Sequence, residues 1–359
     1  VKTGNEVTVD CAGGETGVVW EGKVPFEIEE HDLGTIPRTK TKIMMNLANP
    51  EQAFEQSFIP NSGVGLARME FIVMNSIRAH PLALLHPDKV EEDERAKLKE
   101  LTKGYANGAE FFVDQLAQGI GMICAAFHPK SVILRFSDFK TNEYANLLGG
   151  KGFEPKEDNP MIGWRGSSRY YDEHYKEGFA LECQAVKKVR EEYGLKNLKV
   201  MIPFCRTTTE AHNVLQEMAN NGLVQHEDGL QIIGMCEIPS NVILAEEFLD
   251  IFDGYSIGAN DLTQLTRGVD RDSEIVSDVY DERNPAVKKL IEQVVKAAND
   301  KGKYIGICGQ APSDFPDFAM FLVECGIQTM SLNPDTVIST TMKIAEKEKE
   351  LGIYIDQQQ

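Results

Sequence analysis

The chain has 359 residues, of which 42% are hydrophobic and 8% aromatic, and its 37 Lys and Arg against 56 Asp and Glu give a formal net charge of −19. This is the composition of a globular protein, and the length allows two or three domains or one large α/β barrel with an appendage. So acidic a chain has no general basic surface for nucleic acid or an anionic membrane, and we expect neither as a partner.

The seven cysteines show none of the CxxC spacing of a zinc or redox site. Free thiols indicate a reducing compartment, and we therefore expect the cytosol. The sequence contains neither a signal peptide nor an apolar run long enough to span a bilayer. Because the chain starts at Val1 within a structural pattern, we expect a fragment of a longer protein.

Residues 1–35 predict a strand around Val7–Val9, a glycine-containing turn and a strand around Val18–Trp20. A lone hairpin is only marginally stable in water, so this one is expected to belong to a sheet whose other strands are not in the chain. The acidic stretch that follows is interrupted by prolines up to Pro37 and is typical of a linker.

From Lys40 onward, short apolar runs alternate with segments of helical periodicity. Repeated strand and helix units predict parallel strands, and eight units in about 300 residues predict a TIM-type (β/α)₈ barrel. The alternative, an open doubly wound sheet, lacks support because no glycine-rich phosphate loop follows a strand, and ATP has no recognisable site. The predicted strands are Ile43–Ala48, Gly63–Glu70, Ser131–Phe139, Lys199–Phe204, Leu230–Pro239, Gly254–Leu262, Lys303–Gln310 and Gln328–Pro334. The clearest predicted helices are Glu91–Leu101, Tyr171–Tyr193, Thr209–Asn220 and Pro285–Asp300.

Catalytic residues of such barrels follow the carboxyl ends of the strands. Arg68 and Arg135 lie there within apolar runs, and a buried arginine must meet either a carboxylate or an anionic ligand. From the sequence, a structural ion pair and a ligand-binding role are equally good interpretations. Arg165 and Arg271 are further anion-binding candidates, although a solvated loop charge is the plainer interpretation of each.

Two carboxylates follow neighbouring predicted strands, Glu237 and Asp261. Hard oxygen ligands with room for water and substrate suit Mg²⁺, so we favour a metal site over an ion pair or a helix N-cap. Cys308 ends the next strand between glycines, which allow close approach to a ligand, although most cysteines are simply small core residues. A pocket that combines arginines, a metal and a thiol suits a small phosphorylated carboxylate as its ligand.

At these residues the chain resembles the phosphoenolpyruvate (PEP)-utilising enzymes over nearly its whole length. The branch of the family favoured by Gln310, where other branches usually carry Glu, makes PEP from pyruvate, ATP and water through a phosphohistidine on a swivelling domain. The resemblance implies that residues 1–35 are the tail of that domain with its linker, and that residues 36–359 are the PEP- and pyruvate-binding barrel. Its most specific stretches are Gly63–Phe71, Asn159–Arg165, Met235–Asn241, Ile257–Gln264 and Ile307–Asp314.

The resemblance also implies roles for individual residues. Cys308 matches the catalytic acid/base, and Glu237 and Asp261 match the ligands of a Mg²⁺ cofactor. Ala259 departs from the usual Ser or Thr, which removes a hydroxyl, and Arg267 replaces a typical Leu. The positions that match substrate contacts are Arg68, Arg135, Arg165, Glu237, Gly258, Ala259, Asn260, Asp261 and Arg271.

The resemblance implies three partners: pyruvate or PEP, the phosphohistidine domain, and a second copy of the chain in a homodimer formed through the barrel. Two other functions remain open. A Mg²⁺-dependent pyruvate or oxaloacetate lyase would need fewer arginines, and a non-catalytic PEP-binding or dimerisation module would not need Cys308 with Arg68, Glu237 and Asp261.

Overall fold

A computed structural model describes residues 1–10, 17–27 and 32–355 of the chain. The first two strands, β1 (Val7–Asp10) and β2 (Val18–Glu21), form an antiparallel two-stranded sheet in which Val7 is opposite Glu21. The predicted hairpin is therefore confirmed. Most of its turn, residues 11–16, lies outside the described residues.

Eight further strands are all parallel and close into a barrel in chain order, with the last strand beside the first. The predicted TIM-type barrel is confirmed, and each predicted run overlaps one strand, with β3 and β6 each beginning one residue earlier than predicted. The strands are β3 (Lys42–Leu47), β4 (Gly63–Arg68), β5 (Ser131–Arg135), β6 (Leu198–Ile202), β7 (Ile232–Cys236), β8 (Gly254–Ile257), β9 (Tyr304–Ile307) and β10 (Thr329–Leu332).

Helices connect successive strands and cover the outside of the barrel. The predicted helix Tyr171–Tyr193 begins only at Lys176, because Asp172 accepts backbone bonds from Tyr175 and Lys176 and so closes a turn before it. No helix within the described ranges is both long and apolar enough to cross a membrane. The α-helices are α1 (Ala53–Gln56), α2 (Met69–Ile72), α3 (Pro81–Leu85), α4 (Glu92–Leu101), α5 (Gly108–Phe127), α6 (Thr141–Ala145), α7 (Ser167–Tyr170), α8 (Lys176–Glu191), α9 (Thr208–Asn220), α10 (Pro239–Ile243), α11 (Ala245–Ile251), α12 (Ala259–Arg267), α13 (Pro285–Asp300), α14 (Ala311–Asp314), α15 (Pro316–Cys325) and α16 (Val337–Glu350).

Two hydrophobic cores hold the barrel together. The larger lies between the sheet and the helices, and the smaller fills the barrel axis with side chains that include Leu66, Ile133, Met201 and Met235. Successive side chains of a strand point to opposite faces, so each strand contributes to both cores. This packing closes the barrel below its carboxyl-terminal end and gives the strand-end residues a rigid base.

Candidate active site

A cavity of about 530 Å³ lies at the carboxyl-terminal end of the barrel. Glu237 and Ala259 do not line it: the Glu237 side chain is fully buried, and the Ala259 Cβ faces Gly309. The other predicted site residues line it, namely Arg68, Arg135, Arg165, Gly258, Asn260, Asp261, Arg271 and Cys308.

Arg135, the last residue of β5, is held by carboxylates. Its Nη2 donates to Glu70 Oε1 at 2.9 Å, and its Nη1 lies 3.5 Å from Asp138 Oδ2. Burial alone would lower the pKa of Arg135, but these carboxylates outweigh burial and raise it. The ion-pair interpretation therefore applies to this arginine, although its buried Nε has no hydrogen-bond partner among the described residues.

Arg68, the last residue of β4, is a different case. Within the described part of the chain, no carboxylate lies within 4 Å of its guanidinium. Its nearest described aromatic contact is the Phe71 ring, 5.9 Å from Cζ. Burial and the positive charge of Arg135 lower the pKa of Arg68. An anion bound in the cavity would remove this repulsion, so the environment of Arg68 favours an anionic ligand.

Arg165 lies in the loop before α7 and joins two carboxylates. Its Nε and Nη2 donate to the two oxygens of Asp138 at 3.0 and 2.6 Å, and its Nη1 donates to Asp261 Oδ1 at 3.3 Å. The Phe204 ring lies 4.1 Å from its Cζ. Burial would raise the pKa of Asp138, but Arg165 and Arg135 outweigh it and lower it. Arg165 thus holds Asp261 in place. Asp138 links Arg165 to Arg135, a contact that the sequence did not predict.

Glu237 directly follows β7 and is completely buried. Its Oε1 accepts from the Phe204 backbone N–H at 2.6 Å, while its Oε2 has no hydrogen-bond partner among the described residues. Burial, followed by the charges of Asp261 and Asp138, raises its pKa well above the usual range. Phe204 has φ of +47°, a strained conformation for a non-glycine residue, and it directs the N–H at Glu237.

The carboxylates of Glu237 and Asp261 fit a divalent metal. The Glu237 Oε2 atom has no hydrogen-bond partner among the described residues, and a Cβ at Gly258 would come within 2.9 Å of it, so only glycine leaves this space open. The described residues contain no group of three His, Cys, Asp or Glu arranged to hold an ion. A metal here would take its remaining ligands from water and substrate, which is the mode that Mg²⁺ prefers.

Asn260 joins this group from the first turn of α12. Its Oδ1 accepts from the Gln310 backbone N–H at 3.3 Å, and its side chain lines the cavity. Gln310 directly precedes α14, so the contact ties the loops after β8 and β9 together. The two segments that carry Asp261 and Cys308 are therefore positioned relative to each other.

Cys308 directly follows β9 and lies on the floor of the cavity. Its Sγ donates to the Ile257 carbonyl at 3.6 Å. Burial raises the pKa of Cys308 to about 11, although Arg135 and Arg68 act against this shift. The neighbouring arginines therefore do not bring the pKa near neutrality by themselves, and the thiol is protonated at pH 7 in the protein alone.

Three further cations lie around the mouth of the cavity. Arg271 follows α12, and its Nε lies 3.9 Å from Asp272 Oδ1. Lys140 lies 3.7 Å from the other oxygen of Asp272. Arg78 also lines the cavity and has φ of +60° after a π-helical turn. Sequence reasoning missed Arg78, since nothing around it in the sequence signals that conformation.

A buried network supports the loop that carries Asp138. The Glu182 carboxylate, on α8, accepts from the hydroxyls of Ser137 at 2.5 Å and Tyr175 at 3.1 Å. Ser137 Oγ also lies 2.7 Å from the Tyr144 hydroxyl. Burial raises the pKa of Glu182 to about 7. No sequence motif predicted this network, because its members are separated along the chain.

A second buried cluster supports Arg165. The Arg169 guanidinium is paired with the Glu154 carboxylate and lies 4.0 Å from the Trp164 ring. Its Nε donates to the Trp164 carbonyl at 2.9 Å, directly before Arg165. His80 Nε2 lies 2.9 Å from Glu154 Oε1, while its Nδ1 accepts from a backbone N–H, so His80 is neutral and donates to Glu154.

Comparison with known proteins shows which family the chain matches. Residues 27–349 match the family model described as "PEP-utilising enzyme, PEP-binding domain". The chain is 58% identical to a phosphoenolpyruvate synthase of Synechocystis over 98% of its length and 43% of the relative's. It is 51% identical to one of Aquifex aeolicus, over 98% of the chain and 47% of the relative. With one of Escherichia coli the identity is 52%, over 97% of the chain and 44% of the relative. The chain thus spans less than half the length of these relatives.

Proposed function

We propose that the chain, which belongs to the PEP-utilising enzyme family, provides the site at which a phosphoenolpyruvate synthase interconverts pyruvate and PEP. The complete reaction would make PEP from pyruvate, ATP and water. Its phosphoryl group would arrive on a histidine of another domain, and residues 1–35 are proposed to be the tail of that domain. A Mg²⁺ cofactor, a homodimer formed through the barrel and a cytosolic location belong to the same proposal.

The observation that carries this proposal is that two groups at the carboxyl-terminal end of the barrel, one cationic and one acidic, lack partners in the described structure. Arg68 is a half-buried guanidinium with no carboxylate within 4 Å in the described structure, and Glu237 Oε2 is a buried carboxyl oxygen without a hydrogen-bond partner among the same residues. Neither group forms an ion pair with the described residues, and a polar group held away from water without a partner costs free energy. A ligand that is itself an anion and brings a divalent cation would satisfy both.

The residues divide the chemistry of the reaction between them. Mg²⁺, held by Glu237 and Asp261, would supply a Lewis acid that acidifies the methyl group of pyruvate. The Cys308 thiolate would take a methyl proton, and the phosphoryl group would move from the histidine nitrogen to the enolate oxygen. Arg68 and Arg135 would neutralise the phosphoryl oxygens during this transfer. In the reverse direction the protonated thiol returns the proton to carbon.

The number of guanidiniums favours this function over a lyase. A lyase acting on a simple oxo acid transfers no phosphoryl group, yet Arg68, Arg135, Arg165 and Arg271 all line the cavity. Three of these, Arg135, Arg165 and Arg271, have a carboxylate within 4 Å, while Arg68 has none in the described part of the chain. A guanidinium without a carboxylate partner keeps its N–H donors available for the oxygens of a phosphate group.

Calorimetric titration with PEP in the presence of Mg²⁺ tests the proposal. Arg68→Met should raise the Kd for PEP by about 10-fold or more, since a charge-assisted hydrogen bond is worth about 1.5–3 kcal/mol. Arg283→Met, which removes a surface guanidinium paired with Asp281, is the matched control and should leave the Kd unchanged. Absence of PEP binding to the parent chain, or equal Kd values for Arg68→Met and the parent, would contradict the proposal.

A further inference from the structure

A second cavity, of about 550 Å³, lies at the opposite, amino-terminal end of the barrel. Its position follows from the residues that line it, because several are the first residues of barrel strands: Lys42 of β3, Ser131 of β5, Tyr304 of β9 and Thr329 of β10. Lys199, the second residue of β6, also lines it. None of these residues lines the cavity at the carboxyl-terminal end.

The pleat of the strands directs two lysines toward the barrel axis. Met201 belongs to the axial core, and Lys199, two residues before it, lies on the same face of β6. Met44 contacts the hydroxyl of the axial residue Tyr304, with 4.0 Å between sulfur and oxygen, and Lys42 is two residues before Met44. Branched aliphatic side chains dominate such interior layers, so the half-buried Lys199 is unusual there, and the exposed Lys42 lies at the rim of the same end.

Neither lysine forms an ion pair with the residues that the structure describes. In the described ranges, no carboxylate lies within 4 Å of the Lys42 or the Lys199 ammonium. Burial lowers the pKa of Lys199, and the charge of Asp253 acts against this shift. The positive charge of Lys42 lowers the pKa of Lys199 further, because the two ammonium groups repel each other. Asp253 is already bound elsewhere: its carboxylate accepts from the Ile232 N–H at 2.7 Å and lies 2.5 Å from His226 Nε2.

Hydroxyl groups complete the donor set. Ser131 Oγ is buried and has no hydrogen-bond partner among the described residues. The Tyr304 and Thr329 hydroxyls lie 2.7 Å apart, so only one donates to the other. Another acid near this end, Glu348, accepts from the Lys40 and Thr41 backbone N–H groups, both at 2.7 Å. The cavity therefore offers positive charge and O–H donors to a ligand.

We propose that this cavity binds a small phosphorylated molecule through Lys42, Lys199 and the Ser131 hydroxyl, as a second anion site separate from the site at the carboxyl-terminal end. A phosphate dianion accepts several hydrogen bonds and would relieve the repulsion between the two ammonium groups. The site concentrates positive charge locally in a chain whose net charge is −19. A ligand here would bind the barrel without occupying the site proposed for PEP.

Chemical labelling tests the site directly on the unaltered protein. Lysines are acetylated under limiting reagent, with and without inorganic phosphate, and the labelling rate of each lysine is read by peptide mass spectrometry. Phosphate should slow acetylation of Lys199 by about 5-fold or more, the protection expected when most of the sites are occupied. The exposed Lys97 of α4, which does not line the cavity, should be labelled at the same rate in both conditions. Equal rates for Lys199 with and without saturating phosphate would overturn the proposal.

Calorimetry with inorganic phosphate in the absence of Mg²⁺ then separates the two ends of the barrel. The double variant Lys42→Gln, Lys199→Gln should lose at least about 10-fold in affinity at this site, whereas Arg68→Met should retain it. Mg²⁺-dependent oxalate binding at the other end shows that the double variant is folded. Phosphate binding that disappears in Arg68→Met and is unchanged in the double variant would assign the anion site to the other end and overturn the proposal.

Discussion

The Cys308 thiol lies where β9 ends, and burial raises its pKa to about 11. In the protein alone it is protonated at neutral pH, which suits donation of a proton to carbon. Removal of a methyl proton from pyruvate requires the thiolate, and the charge of a metal with its bound substrate must supply the remaining stabilisation. Cys308 is thus proposed to act on the proton and not on the phosphoryl group.

We expect Cys308→Ala, in the full-length enzyme that carries this barrel, to slow exchange of the pyruvate methyl protons with deuterium oxide by at least about 10²-fold, the usual contribution of a general acid/base. NMR measures the exchange. Phosphorylation of the histidine by ATP should be unaffected. Cys325→Ala, at the end of α15 and away from the cavity, is the control. Exchange by Cys308→Ala at the parental rate would show that another group is the base.

For individual residues, the sequence predicted the place of a side chain in the fold better than the groups that the side chain contacts. Arg68 and Arg135 could both be placed at strand ends, because apolar periodicity identifies the strands. Their different environments could not be predicted, since the partners of Arg135 come from α2 and from the loop after β5. The role of Phe204 was equally hidden, because a positive φ depends on the packing around it.

The loop after β5 shows how an element is held in place at a functional site. Its Ser137 donates backbone N–H and hydroxyl to Glu182 of α8, and the next residue, Asp138, holds Arg165. The strands themselves were predicted from sequence, since each is a short apolar run. The contact between this loop and α8 was not, because it joins residues 45 positions apart with no shared motif.

Glu182 gives this contact a pH dependence. Its pKa is 4.5 in an ordinary environment and about 7 in the folded protein, so between these values the folded chain holds a proton that the unfolded chain has released. Its contribution to the free energy of unfolding therefore decreases as the pH rises from about 4.5 to 7 and is constant above that.

Glu182→Gln, which resembles the protonated form, should remove this dependence. Urea unfolding should show the variant gaining stability relative to the parent between about pH 5 and pH 8, by on the order of 2–3 kcal/mol. Glu191→Gln, an exposed position on the same helix, should change by the same small amount at every pH. A difference between Glu182→Gln and the parent that is independent of pH would contradict the expected protonation.

Across the whole molecule, the charge at the two ends of the barrel is opposite in sign to the net charge of the chain. The chain carries a net charge of −19, yet arginines and lysines are concentrated at both ends of the barrel axis. The barrel itself followed from eight apolar runs, and the family followed from motifs at the strand ends. The lysines at the amino-terminal end were not predicted, because in sequence Lys42 and Lys199 are isolated charges beside strands.

The central claim is that one cavity binds a divalent cation together with a planar anion that resembles the enolate of pyruvate. Calorimetric titration of the chain with oxalate, with and without Mg²⁺, measures this most directly. We predict that oxalate binds only when Mg²⁺ is present, and that the double variant Glu237→Gln, Asp261→Asn loses this binding. Oxalate binding of equal affinity without Mg²⁺, or binding that survives in the double variant, would contradict the account.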